Sequence, residues 1–111
     1  MKLIGVIAAA LLLAACAAPV RIPDGIYGDG RGGTLTVRAD RIEFQVPEVD
    51  SNYLNRCTYR LSPSGTLQLG GSSNSPSYVF FVLDRNWRWT GTAIESRDRR
   101  DGTVVTYAPV Q

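Results

Sequence analysis

Apolar and polar residues alternate with a period of two along most of the chain after residue 33, and no helical periodicity is present there. Such alternation predicts β-strands that have one buried and one solvated face. Segments 34–38 and 41–46 alternate on either side of Ala39-Asp40, so we expect a hairpin that turns at these two residues. Further strands are predicted at 26–27, 57–61, 67–69, 78–83, 87–94 and 103–107.

The segment from Tyr78 to Leu83 is apolar on both faces, which predicts a strand that is covered on each side. We expect Asp84-Arg85-Asn86 to turn this strand into Trp87-Arg88-Trp89, with a bulge at Gly91 before the strand continues to Ile94. Loops are expected at 70–77, where residues are small or polar, and at 96–102, where they are charged.

Short connections between about eight consecutive strands favour an up-and-down antiparallel meander. Closing the meander into a barrel removes exposed strand edges, so we predict an all-β fold that forms a small closed or partly open barrel. A β-sandwich is the alternative fold. Residues 24–111 are enough for a single domain with a modest core.

The first fifteen residues form an apolar run that carries one cation, Lys2, and is too short for a permanent transmembrane helix. This run ends in Leu13-Ala14-Ala15-Cys16, which resembles the lipobox of bacterial lipoprotein precursors. The resemblance implies that residues 1–15 are a signal peptide, that Cys16 is lipidated, and that residues 16–23 form a tether. Ala17 is not the aspartate associated with inner-membrane retention, so the resemblance favours the outer membrane, with the domain facing the periplasm.

The charge balance gives no support for nucleic-acid binding. Lys2 is the only lysine and belongs to the predicted signal peptide, so the remaining chain carries eleven arginines against ten carboxylates. A protein that binds a polyanion usually shows a clustered surplus of cations. We therefore expect an envelope protein partner, or peptidoglycan or another glycan, rather than nucleic acid.

Several kinds of catalytic and metal site are excluded or disfavoured. The chain has no histidine, which removes His-dependent nucleophilic catalysis and His-bearing zinc sites. Residues 28–33 match G-x-G-x-x-G, but a strand rather than a helix follows, so we interpret them as a turn. Pairs among the carboxylates could still serve a hydrolase, although most of these acids lie in turns beside arginines. We predict no enzyme activity, no metal and no cofactor apart from the lipid on Cys16.

One cysteine remains after Cys16 is assigned to lipid. Cys57 alternates with Tyr59 and Leu61, which predicts a buried thiol on the apolar face of a strand. The alternative, a thiol that bridges to a partner chain, requires Cys57 to lie near the surface.

Two features are candidates for binding. Trp87 and Trp89 share one strand face and could form a stacking platform beside Arg85 and Arg88; alternatively, both indoles fill the barrel interior. In the second feature, the arginines of the charged loop could grip carboxylates or lipid phosphates; alternatively, the loop is a solvated hairpin tip in which Asp98 and Asp101 offset their charge. These loop arginines are Arg97, Arg99 and Arg100.

Small lipid-anchored β-barrels include the periplasmic lysozyme inhibitors, whose inhibitory stretch resembles Ser-Gly followed closely by a basic and an aromatic residue. Here Ser64-Gly65 is followed by Thr66-Leu67-Gln68, so the similarity is one of architecture, which does not establish function. We therefore expect a non-enzymatic binding or accessory module of an envelope assembly. The alternatives are a glycan-binding or inhibitor-like module and a carboxylate-pair hydrolase.

Overall fold

The structure is a computed structural model that describes residues 21–47, 55–71 and 76–110. The predicted lipobox, with Cys16, lies outside the described residues. The strands are β1 (Gly25–Gly28), β2 (Thr34–Arg38), β3 (Arg41–Gln45), β4 (Arg56–Leu61), β5 (Thr66–Gly71), β6 (Arg85–Trp89), β7 (Ile94–Asp98) and β8 (Val104–Pro109), and one helix, α1 (Pro76–Leu83), lies between β5 and β6.

The eight strands form a closed barrel in which every strand is antiparallel to its neighbours. β1 and β8 close it, with Tyr27 opposite Pro109, and the backbone N–H of Val110 donates to the carbonyl of Ile26 at 2.8 Å. The meander therefore has no free first or last strand. The prediction of an all-β up-and-down barrel is confirmed.

The interior of the barrel is filled by alternate residues of the strands. In β2 and β3, Leu35 lies opposite Phe44 and Val37 lies opposite Ile42, and all four side chains are buried. The intervening positions face solvent and are polar, as the period of two requires. Cys57 occupies an interior position of β4 and is only 2% exposed, in agreement with the predicted buried thiol.

The prediction of a strand at 78–83 is wrong, because this segment belongs to α1. The helix leaves Phe80 and Leu83 on the outside, where they are 65% and 60% exposed. In the helix, Phe81 instead enters the barrel, where its ring packs on Phe44 and Trp87 at centroid distances of 6.2 and 5.6 Å. Tertiary packing thus overrides the local β preference of an aromatic and β-branched segment.

Groups from the start of β6 satisfy the carbonyls at the end of α1. The indole Nε1–H of Trp87 donates to the carbonyl of Val82, and a guanidinium N–H of Arg85 donates to that of Phe81, at 3.1 and 2.9 Å. The last carbonyls of a helix have no partner within the helix. These two contacts therefore hold α1 against β6.

The predicted strand 87–94 is divided into two strands. Gly91 has a φ of 101°, and it lies in a turn between β6 and β7 rather than in a bulge. β7 then runs to Asp98, so the charged loop is shorter than expected. Arg85 and Asn86 belong to β6, and Gly70 and Gly71 belong to β5. The total of eight strands is still correct, because segment 78–83 forms no strand but the predicted strand 87–94 contributes to two, β6 and β7.

Ile22, at the end of the predicted tether of residues 16–23, packs into the core and closes one end of the barrel. Ile22 is fully buried, and its backbone N–H donates to the hydroxyl of Tyr59 at 3.1 Å. This end also holds the turn between β2 and β3, whereas α1 lies at the opposite end. Within the described ranges, no helix is long and apolar enough to cross a membrane.

Candidate functional site

A groove opens in the barrel wall where β5 and β6 separate. The two strands pair only at Thr66 with Arg88 and at Leu67 with Trp87 among the described residues, although both strands continue. Extending this register would place Gln68 opposite Asn86 and Leu69 opposite Arg85, yet a groove of about 600 Å³ is lined by these residues instead. We call this feature the β5–β6 groove.

The floor of the β5–β6 groove is apolar. Leu67 and Trp87 are buried there, and Leu69 and Val82 pack partly against the core. Leu83, at the end of α1, also lines the groove and is 60% exposed.

Arginines surround this apolar floor. The groove is lined by four arginines and by one carboxylate, Glu95. A second cavity, of about 370 Å³ beside the β2–β3 turn, is more balanced, since three arginines there meet Asp40 and Glu43. The surplus of positive charge therefore distinguishes the β5–β6 groove. Its arginines are Arg85, Arg88, Arg97 and Arg99.

Two of these arginines are positioned by contacts within the groove. The Arg85 guanidinium carbon lies 4.1 Å from the centroid of the Phe81 ring, in a cation–π contact. Arg99 donates through Nε to the side-chain oxygen of Asn86 at 3.0 Å, and its backbone N–H donates to the carbonyl of Asp84. Both side chains retain guanidinium N–H donors for a ligand.

The other two arginines project from the outer surface of adjacent strands. Arg88 lies directly opposite Glu95, and Arg97 lies opposite Asn86, in the register of β6 with β7. Both arginines are exposed. Arg88 and Arg97 therefore both lie on the β6 side of the groove, where a ligand could reach them.

Arg100 is the predicted binding arginine that the structure places apart from the groove. Its guanidinium lies 3.7 Å from the carboxylate of Asp98. The backbone N–H of Arg100 also donates to this carboxylate at 2.8 Å. This hydrogen bond is the main reason why the pKa of Asp98 lies below its ordinary value. Arg100 therefore stabilises its own turn between β7 and β8.

The two tryptophans face the barrel interior. Of the two arrangements that the sequence allowed, a stacking platform or a filled interior, the structure has the second. Trp87 is 5% exposed and lies between Phe44 and Tyr107, at centroid distances of 5.6 and 6.4 Å. Trp89 is half-buried near the opposite end of the barrel, edge-on to Tyr27 at 5.9 Å. The two indoles therefore do not present a joint platform to solvent, although Trp87 forms part of the groove floor.

The glycine-rich segment 28–33 forms a turn around one carboxylate. Oδ1 of Asp29 accepts from the backbone N–H groups of Arg31 and Gly33, at 2.7 and 3.0 Å. Gly30 and Gly32 have φ values of 79° and 94°, which explains why glycine is favoured there. Among the residues described by the structure, no group of three potential metal ligands comes together.

Sequence reasoning missed the residues that give the groove its shape. Gln68, Leu69 and Asn86 line it because the ladder between β5 and β6 ends early, and no local pattern signals that event. Leu83 lines it because α1 is a helix. Comparisons of the chain with protein-family models, with curated proteins and with solved structures gave no match.

Proposed function

We propose that this protein is a non-enzymatic outer-membrane lipoprotein whose β5–β6 groove binds an anionic partner in the cell envelope. One observation carries the binding proposal: four arginines, from β6, β7 and the turn that follows, and a single carboxylate line a groove whose floor is apolar. Paired guanidinium–carboxylate or guanidinium–phosphate hydrogen bonds are strong and directional. The apolar floor adds affinity by burying hydrocarbon.

The anchor in this proposal rests on the lipobox resemblance at Cys16. A lipidated Cys16 would keep Arg21, the first described residue, within five residues of the membrane surface. The domain would then act on partners that reach the membrane, which suits an accessory part of an envelope assembly. A carboxylate-pair hydrolase receives less support, since Glu95 is the one described acid that lines the groove.

Photo-crosslinking in intact cells tests this function. A photoreactive residue replaces Gln68, which lines the groove, or Gln45, an exposed glutamine at the end of β3 on another part of the barrel. We expect a discrete adduct from position 68 that is lost when Arg88 and Arg97 are both changed to glutamine. Position 45 is the matched control and should give no such adduct.

Identical adducts from both positions, or an adduct from position 68 that survives loss of both arginines, would contradict the proposal. Immunoblotting of the adducts gives the first readout, and mass spectrometry shows whether the captured material is protein, glycan or lipid.

A further inference from the structure

We infer that the β5–β6 groove takes an extended acidic peptide segment of a partner protein, which pairs as an added strand with the edge of β5. This inference rests on the proposed function and specifies the class of partner. It depends on the direction of the backbone groups of β5, the shape of the groove and the position of its arginines.

The backbone of β5 turns hydrogen-bonding groups toward the groove. The carbonyl of Gly65 accepts from the N–H of Trp89 on β6, whereas the carbonyl of Thr66 accepts from Ser62 on the other side. Because these directions alternate along an antiparallel strand, Leu67 and Leu69 turn toward β6. Leu67 has Trp87 opposite it, but the ladder has ended at Leu69. Among the described residues no strand pairs with Leu69 on this side, so its N–H and carbonyl are a donor and an acceptor for an added strand.

The side chains of such a strand would meet two different surfaces, the apolar floor of the groove and the arginines on its outer side. Alternate side chains point to opposite faces of a strand, so one set would meet the apolar floor at Leu69 and Val82. The other set would point outward, where Arg88 and Arg97 are exposed. Backbone pairing gives affinity in strand addition, and the alternate side chains give specificity. The preferred segment therefore alternates acidic and apolar residues.

Charge complementarity selects a peptide of this kind over a neutral one. The groove has four arginines for one glutamate, so acidic side chains relieve repulsion among the cations as well as forming ion pairs. Partly exposed charges are screened by salt over about 10 Å at 0.1 M ionic strength. Binding should thus weaken as salt is raised.

Titration of the full-length protein in nonionic detergent tests this inference, with tryptophan fluorescence as the readout because Trp87 lies in the groove floor. The probe is a blocked peptide of three Glu-Val repeats, and its matched control is the same peptide with every backbone nitrogen methylated. The control keeps all charges but cannot donate backbone hydrogen bonds. We expect the methylated peptide to bind at least tenfold more weakly.

Variants of the protein separate the groove from general charge effects. We expect Arg97→Gln to weaken binding of the unmodified peptide by about tenfold, the magnitude that a charge-assisted hydrogen bond supports. Arg38→Gln removes the same charge from β2, away from the groove, and should leave the affinity unchanged. Equal losses in the two variants would overturn the inference.

Two further outcomes separate this inference from the proposed function. Equal affinity of the parent and methylated peptides would overturn strand pairing and leave anion binding at the groove intact. If the peptide does not bind but peptidoglycan fragments or phosphatidylglycerol vesicles bind saturably, the inference of a peptide ligand is overturned and the proposed function is kept. Absence of binding for all of these probes, with no adduct from position 68 in cells, would overturn both.

Discussion

Replacing Trp87 with alanine is expected to lower the free energy of unfolding by about 3–5 kcal/mol, the usual cost of removing a large buried aromatic side chain. Trp87 contacts three other aromatic rings of the core, Phe44 and Phe81 at centroid distances of 5.6 Å each and Tyr107 at 6.4 Å. Its Nε1–H also satisfies the carbonyl of Val82 at the end of α1. The substitution would thus leave a cavity and an unsatisfied carbonyl together.

Urea unfolding followed by far-ultraviolet circular dichroism measures this change. Since small domains have a total stability of about 5–15 kcal/mol, this loss is a large fraction of the total and should clearly lower the urea midpoint. The control is Trp87→Phe, which keeps a ring in the core but loses the indole N–H, and it should cost clearly less. A loss of no more than about 0.5 kcal/mol for Trp87→Ala, as at exposed positions, would contradict the assigned core.

Replacing Cys16 with serine is expected to move the protein from the membrane fraction to the soluble fraction. The lipobox resemblance implies acyl chains on this residue, and each buried methylene contributes about 0.8 kcal/mol to membrane binding. Serine offers no thiol for the lipid. Fractionation of intact cells, followed by immunoblotting, measures the change.

The matched control for this experiment is Cys57→Ala. Cys57 is buried inside the barrel, so its loss should not affect membrane association. Mass spectrometry of the parent protein, without either substitution, should also show a lipid on Cys16 and no residues before it. A Cys16→Ser variant that sediments with membranes as the parent does would contradict the anchor.

The parts of the fold that local patterns determine could be predicted from the sequence. The hairpin of β2 and β3 is an example, because strict alternation on both sides of Ala39-Asp40 defines the buried face and the turn at once. Ala39 has a φ of 55°, which places it in the left-handed conformation that such a turn needs. Cys57 was likewise assigned correctly to the interior.

The parts that depend on distant contacts could not be predicted. Residues 78–83 have a strand-like composition, and the packing of Phe81 on Phe44 and Trp87 is a distant contact that favours the helix. The groove exists because the pairing of β5 with β6 ends early, and no local sequence pattern signals where that pairing ends. Four of the five arginines that the sequence predicts as binding candidates line this groove, and their role in binding stays a prediction.

The most direct test of the groove as the binding site is a map of chemical-shift changes. Uniformly ¹⁵N-labelled full-length protein in detergent micelles is titrated with the Glu-Val repeat peptide, and two-dimensional amide spectra are recorded. We predict saturable changes at Leu69, Asn86 and Arg97, which line the groove, with none at Thr36 or Arg38 of β2. Changes concentrated at β2, or at the opposite end of the barrel around Trp89, would contradict the account.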